Sequence, residues 1–137
     1  MTLNPENRND IVSYRLEKAN DTMQQVHAIS RLGYWTLVAN RLYYAVYYAC
    51  SALLIANGIE VSTHKGVIKQ IGQSFILPGT LPVTDAKLLN KLFSMRQSGD
   101  YEDLFDWDEA DVAPLISQVE DFIMRIIDLI ESSKGRL

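Results

Sequence analysis

The sequence offers very little sulfur or histidine chemistry. Its 137 residues include one cysteine, Cys50, and two histidines, His27 and His64. A single cysteine excludes an intramolecular disulfide and a cysteine-based metal site. Neither histidine has the spacing of a metal-ligand motif. Cys50 is better interpreted as a small buried hydrophobe, and we expect neither a metal ion nor another cofactor.

The chain also lacks an excess of basic charge. The chain has thirteen Lys and Arg residues and seventeen Asp and Glu residues, which gives a net charge of -4 and a pI of about 5.1. General nucleic-acid binders carry a basic surface, so strong non-specific binding to DNA or RNA is disfavoured. A small local basic groove remains compatible with this charge. The polar N-terminus, MTLNPENRND, has no apolar signal core, so we expect a cytoplasmic location.

Standard catalytic and phosphate-binding motifs are missing as well. The sequence contains no glycine-rich phosphate loop, nucleophile elbow or Ser/His/Asp set. The acidic stretch at 100–111 lacks the glycine and ligand ladder of a calcium loop. Helix capping and a favourable helix dipole explain most of these carboxylates.

What the chain does have is a long apolar run, Tyr34 to Asn57. Five of the seven tyrosines lie in it, and Arg41 is its only charged residue. A helix that is apolar on nearly all sides must be enclosed by other helices or by lipid. Asn40 and Arg41 near its middle make lipid costly. The run therefore predicts the central helix of a bundle, with one cation carried into the interior and no membrane contact.

The rest of the chain is also dominated by helical periodicity. Apolar residues recur three and four apart, and no alternating segment competes. This predicts a single all-α domain spanning 1–137. We expect an up-and-down bundle of four long helices plus one shorter helix, with the first and last helices flanking the aromatic one. The predicted helices cover about 9–32, 34–57, 63–75, 85–98 and a last helix that ends near 133.

Three local signals predict where helices begin. Ser62 is placed to cap the third helix and Thr84 the fourth. Asp106 and Glu109 have the spacing of a capping box for the last helix.

Arg96 is the first candidate for a functional residue. It follows Leu89 by seven and Leu92 by four positions, so it shares their apolar face and points toward the bundle or its rim. A guanidinium removed from water needs acceptors. An ion pair with Asp100 or Asp103 would supply them. The alternative is an anion clamp for a phosphate.

Arg41 has the same ambiguity. It either reaches the surface or pairs with an acid of the last helix, or it converges with Arg96 on one phosphate-binding cleft. His64 lies in the first turn of the third helix. There it is either a hydrogen-bonding group at the helix start or a general base. The neighbouring tyrosines suit core and dimer packing, or nucleobase stacking; these are Tyr43, Tyr44, Tyr47 and Tyr48.

Three segments together carry a family resemblance: NRLYYA at 40–45, THKGVI at 63–68 and LFSMRQSGDY at 92–101. In this order and spacing they resemble the HEPN domain. The resemblance implies a bundle of four to five helices that is usually a homodimer. Many HEPN proteins are metal-independent ribonucleases, with an arginine followed after four to six residues by a histidine. Others pair with nucleotidyltransferases in toxin–antitoxin systems, and some are non-catalytic binding modules.

Carried onto this chain, the motif arginine falls on Arg96, and the histidine position is occupied by Tyr101. No histidine occurs after His64. A histidine of pKa about 6.5 exchanges protons at neutral pH, whereas a tyrosine of pKa about 10 does so poorly. Neighbouring carboxylates such as Asp100 would raise that pKa further.

We therefore expect a HEPN-type module that binds rather than one that cuts by the usual mechanism. Its ligand would be a nucleotide, RNA or a nucleotidyltransferase partner, in a toxin–antitoxin-like system. The expected binding residues are Arg96, Asp100 and Tyr101, with Arg41 contributing. One alternative is a ribonuclease that uses Arg96 and Tyr101 with His64 as a non-standard base. The other is a purely structural dimer.

Overall fold

The computed structural model describes the backbone of residues 5–101 and 106–134, and the side chains of 7–97 and 106–132. Within these ranges the chain is all-α and contains no strand, as the periodicity predicts. The helices are α1 (Pro5–Arg31), α2 (Trp35–Ala56), α3 (His64–Ile71), α4 (Val83–Tyr101) and α5 (Glu109–Lys134), and a π-helical turn (Gly72–Ile76) continues α3.

The aromatic helix α2 lies at the centre of the bundle. It packs against α1, α3, α4 and α5, and Leu42, Ala45, Ala49 and Leu53 are fully buried along its length. The two alanines let neighbouring helices approach closely, while the leucines fill the core. The predicted central position of this helix is confirmed. Of the helices that the structure describes, none has the length and apolar character needed to cross a membrane.

Two glycines end the first two helices. Gly33 follows α1 with φ of 78° and Gly58 follows α2 with φ of 73°. Both lie in the left-handed region that glycine adopts at no steric cost. The resulting turn between α1 and α2 allows the two helices to pack against each other.

The start of α3 differs from the prediction by one residue. Thr63, not Ser62, is the cap, and its hydroxyl accepts a hydrogen bond from the Gly66 amide at 2.9 Å. A β carbon on Gly66 would approach the Thr63 hydroxyl to 2.7 Å, so this close approach requires glycine. The helix is also shorter than predicted, because the π-helical turn takes over from Gly72.

The predicted capping box of the last helix is wrong by two residues. The Asp111 amide donates to Asp108 Oδ1 at 3.1 Å, and the Asp108 amide donates to Asp111 Oδ2 at 3.3 Å. This reciprocal arrangement is a capping box. Asp106 instead accepts from the Thr36 hydroxyl at 3.3 Å, and Glu109 is the first residue of the helix.

Helix α4 is longer at both ends than the predicted 85–98. It begins at Val83, so Thr84 lies inside the helix and does not cap it, and it runs to Tyr101. Near its start, the carboxylate of Asp85 is only 2% exposed. Arg125 of α5 binds this carboxylate with both Nε and Nη2, the former at 3.0 Å from Oδ2. This link between α4 and α5 joins residues 40 positions apart, and no local pattern in the sequence predicts it.

Candidate functional site

A group of stacked rings lies where α2, α3 and α4 meet. Tyr43, Tyr44 and Tyr47 come from neighbouring positions of α2, and His64 is the first residue of α3. Residues three and four apart on a helix share one face, which brings Tyr47 beside Tyr43 and Tyr44 at the start of α3. We call these four residues the ring cluster.

The side chain of His64, the first residue of α3, packs inside the ring cluster. Its imidazole stacks on Tyr47, with ring centroids 4.1 Å apart and planes 8° from parallel. Its Nδ1 is 2.7 Å from the Tyr43 hydroxyl. Since Thr63 caps α3, the His64 side chain does not serve the helix start. Burial, with a contribution from the positive charge of Arg96, lowers the pKa of His64 below its usual value.

The phenol of Tyr43 holds the imidazole in place. Tyr43 is buried, and this burial raises the pKa of its hydroxyl although Arg96 acts in the opposite direction. The phenol therefore keeps its proton at neutral pH. Its bond to Nδ1 fixes the orientation of the His64 ring in either neutral tautomer.

Arg96 points into the bundle, where the apolar stripe of α4 predicts it. The side chain is half-buried, and its Nη2 donates to the Tyr44 hydroxyl at 3.2 Å. Its Cζ lies 5.3 Å from the Tyr43 ring centroid and 5.5 Å from that of Tyr44. Both distances are within the range of cation–π attraction. Arg96 is therefore held against the ring cluster.

Arg41 approaches the same cluster from α2. Its Cζ lies 5.0 Å from the Tyr44 ring centroid. Its Nε and Nη2 donate to Asn40 Oδ1 at 3.0 and 2.8 Å. This single acceptor belongs to an amide of the same helix, and among the described residues Arg41 makes no ion pair with an acid of α5. The structure thus brings Arg41 and Arg96, from two helices, onto one phenol ring; we call them the arginine pair.

Two residues of the predicted site cannot be placed. The side chains of Asp100 and Tyr101 lie outside the described residues, as does the whole of Asp103. The backbone of Asp100 and Tyr101 forms the last turn of α4. Their part in the site, and the predicted ion pairs of Arg96 with these acids, stay predictions.

A second feature, which sequence reasoning missed, is an open cleft of about 630 Å³ at the start of α2. Its lining includes Trp35, Thr36 and Asn40 of α2, together with Asp106 and Trp107 before α5. The Thr36 hydroxyl accepts from the Trp107 amide at 2.9 Å and donates to Asp106 Oδ1 at 3.3 Å. We call this feature the indole cleft. The only signal in the sequence was that the chain's two tryptophans flank these helix starts.

The indole cleft is connected to the arginine pair through Asn40. Asn40 lines the cleft, and its side chain accepts both hydrogen bonds from Arg41. Among the described residues, no group of three or more His, Cys, Asp or Glu side chains is arranged to hold a metal ion. The ring cluster, the arginine pair and the indole cleft present guanidinium, phenol, imidazole and indole groups and the carboxylate of Asp106.

Comparison with known proteins places this geometry in context. The family model of the HEPN domain matches residues 12–130. A UPF0332 protein of Thermotoga maritima is 32% identical over 124 residues, which cover 90% of this chain and 94% of the relative. The ring cluster, the arginine pair and the indole cleft all lie within the matched residues.

Two relatives from Methanocaldococcus jannaschii are named for a toxin. The protein named "Putative toxin MJ0142" is 28% identical over 87 residues, 64% of this chain and 59% of the relative. The protein named "Putative toxin MJ0605" is 29% identical over 86 residues, 63% of each chain. The chain therefore spans about three fifths of these two relatives.

Proposed function

Because this chain belongs to the HEPN domain family, we propose that it is a toxin-type HEPN module that binds a phosphate of RNA or of a nucleotide. The arginine pair is the binding site in this proposal. The observation that carries it is the position of Arg41 and Arg96, both against the Tyr44 ring at 5.0 and 5.5 Å. Two guanidinium groups from separate helices offer a fork of N–H donors suited to phosphate oxygens.

Because the two arginines are partly buried, they should bind phosphate more tightly than two fully exposed arginines would. Both side chains are half-buried, and a charge-assisted hydrogen bond gains strength where water is partly excluded. The aromatic contacts with Tyr44 hold the two guanidinium groups in place. A ligand phosphate therefore meets groups that are already oriented, which reduces the entropy cost of binding.

The test is the affinity of single-stranded RNA and of nucleoside monophosphates for wild-type protein and for Arg41→Ala and Arg96→Ala. Each substitution removes a charged donor, and we expect a loss of about tenfold in affinity. Lys87→Ala is the matched control, because Lys87 is an exposed cation of the same helix as Arg96. Equal affinities for all four proteins, at unchanged thermal stability, would refute the site.

The names of the two archaeal relatives support a toxin role, and the family suggests a nucleotidyltransferase as antitoxin partner and a homodimer as the active form. We place the partner's contact at or near the arginine pair. The partner should then compete with RNA for the site. A partner that binds equally well with and without saturating RNA would contradict this placement.

A second function, metal-independent RNA cleavage, is favoured by the ring cluster. The lowered pKa of His64 keeps its imidazole neutral at pH 7, as a general base requires. In the tautomer where Nδ1 donates to the Tyr43 oxygen, Nε2 is the basic nitrogen. Arg96 contacts the same cluster, so a phosphate on Arg96 would lie near this base.

The discriminating measurement is cleavage of RNA by purified protein in the presence of a chelator. Activity that disappears in both His64→Gln and Arg96→Ala, but persists in His27→Gln, would establish the ribonuclease function. His27 is a suitable control because it is half exposed on α1, 3.5 Å from Glu120. If the wild type binds RNA but does not cleave it, the ribonuclease function is refuted and the phosphate-binding function remains.

A further inference from the structure

We infer that the indole cleft is a nucleobase-binding subsite that prefers guanine, adjoining the phosphate site. The inference rests on the proposed function, since it assigns the base to the cleft and the phosphate to the arginine pair. It concerns different residues, however, so the two can fail separately.

The walls of the cleft suit a flat aromatic ligand. Trp35 and Trp107 both line it, and each is only half-buried. Tyr34 and Leu37, at the same helix start, are 60% and 47% exposed, so apolar surface faces the opening. A volume of about 630 Å³ is within the range of small-molecule sites. Stacking of a base on such indoles needs no particular sequence.

Asp106 supplies the polar recognition. Its Oδ1 accepts a hydrogen bond from the Thr36 hydroxyl at 3.3 Å, the one bond to this carboxylate found among residues 7–97 and 106–132, and a carboxylate has about four acceptor positions. The Thr36 hydroxyl is itself fixed by the Trp107 amide at 2.9 Å. The carboxylate is thus tied to the cleft wall and keeps the capacity to accept from a ligand.

The hydrogen-bonding edge of guanine is the best match to a carboxylate. Guanine presents two adjacent donors, its ring N1–H and its exocyclic amino group, which a carboxylate accepts side by side. Adenine and cytosine each present a ring acceptor beside their amino group, which a carboxylate repels. Uracil presents one N–H between two carbonyls. Asp106 therefore favours guanine and disfavours the other three bases.

Asn40 gives the base and phosphate sites a common boundary. It lines the cleft, and its Oδ1 holds Nε and Nη2 of Arg41 at 3.0 and 2.8 Å. A guanine nucleotide with its base in the cleft can therefore direct its phosphate toward Arg41 and the ring cluster. Pairing of base and phosphate contacts in one nucleotide would give the RNA binding a preference for guanine positions.

Tryptophan fluorescence reports directly on this inference, because the chain's two tryptophans both line the cleft. The titrants are guanosine, GMP, AMP and inorganic phosphate. We expect guanosine and GMP to quench the emission, with GMP binding more tightly and AMP about tenfold more weakly than GMP. Inorganic phosphate should leave the emission unchanged. If AMP and GMP reach half of their maximal quenching at the same concentration, the guanine preference is overturned.

Asp106→Asn tests the recognition group itself. The amide is nearly the same size and can still accept from Thr36, but it presents one donor and one acceptor in place of two acceptors. We expect the preference for GMP over AMP to fall about tenfold. Asp21→Asn, at an exposed position of α1, makes the same charge change and should leave the preference intact. An unchanged preference in Asp106→Asn would overturn the inference.

The same titrations separate the two proposals. Loss of GMP affinity in Arg96→Ala, with guanosine quenching retained, is expected if both sites exist. If Arg96→Ala lowers GMP affinity but no nucleoside alters the fluorescence, the cleft inference fails and the phosphate site stands. If guanosine quenches the emission but Arg96→Ala leaves GMP affinity unchanged, the phosphate site fails and the cleft stands.

Discussion

Tyr44 is the residue on which the two guanidinium groups depend. Its hydroxyl accepts from Arg96 Nη2 at 3.2 Å, and its ring lies within cation–π range of both arginines. The ring and the hydroxyl therefore make separable contributions. The ring positions both cations, whereas the hydroxyl fixes only one of them.

This division predicts a graded loss of phosphate binding. Tyr44→Phe keeps the ring and should weaken GMP or RNA binding by a factor of about two to five, since only the hydrogen bond that positions Arg96 is lost. Tyr44→Leu removes the ring as well and should weaken it by tenfold or more. Affinities are measured by calorimetry, with Tyr48→Phe as the control for a half-buried tyrosine of the same helix. Equal effects of Tyr44→Phe and Tyr44→Leu would contradict the cation–π role.

His64 predicts a pH dependence of stability. Burial and the charge of Arg96 lower the pKa of His64 in the folded chain, whereas a histidine in the unfolded chain has a pKa of about 6.5. Below about pH 6.5 the unfolded state therefore takes up a proton that the folded state resists, and the free energy of unfolding falls as the pH falls. Above that pH the contribution is fully present.

The measurement compares urea unfolding of wild type and His64→Gln between pH 7.5 and 5. The stability advantage of the wild type over this variant should shrink as the pH falls. His27→Gln, at an exposed position, gives the background of a histidine replacement. A wild-type advantage that grows toward pH 5 would show that His64 is charged in the folded state.

Part of this site could be predicted from the sequence alone. The spacing of Arg96 from Leu89 and Leu92 predicts its inward direction, because helical periodicity is local. The contacts of His64 with Tyr43 and Tyr47 could not be predicted, since they join residues more than fifteen positions apart across two helices. The same holds for Thr36 and Asp106, whose contact fixes the indole cleft.

At the scale of helices, the ion pair of Asp85 and Arg125 joins α4 to α5. The carboxylate is almost fully buried, while the Arg125 side chain is 41% exposed. Removal of the arginine leaves a buried charge without its partner, which costs more than the pair itself contributes. Asp85 also lies in the first turn of α4, where a negative charge is favoured by the helix dipole.

We therefore expect Arg125→Met to lower the free energy of unfolding by about 3 kcal/mol at neutral pH, the low end of the range for breaking a buried pair, because the Arg125 side chain is 41% exposed. The double variant Asp85→Asn with Arg125→Met should recover a large part of this loss, because the unpaired charge is gone. Urea unfolding measures both, with Arg31→Met as the exposed control, expected within about 0.5 kcal/mol of wild type. A double variant less stable than Arg125→Met would contradict this account.

The order and type of the helices could be predicted because each depends on a long apolar periodicity. Helix α2 was predicted to within one residue at each end, since glycines follow both α1 and α2. The predicted start of α5 was wrong because the acidic segment contains several pairs with capping-box spacing, among them Asp106 with Glu109 and Asp108 with Asp111. Which pair caps the helix depends on Asp106 being engaged by Thr36, a contact between residues seventy positions apart.

At the scale of the whole molecule, net charge limits how nucleic acid can be bound. The chain carries a charge of -4, so long-range attraction does not draw RNA to it. Binding must then come from a few local contacts, in contrast to proteins with a broad basic surface. The proposed site supplies two such contacts per chain, Arg41 and Arg96.

This predicts a weak dependence of RNA affinity on salt. For single strands the slope of log affinity against log salt is about -0.7 per phosphate neutralised, so two contacts give about -1.4. A short single-stranded RNA, titrated between 50 and 200 mM salt, measures the slope. Arg96→Ala should reduce it to about -0.7, and Lys87→Ala should leave it unchanged. A slope steeper than about -3 would require more than four neutralised phosphates, and the binding surface would then have to extend well beyond the arginine pair.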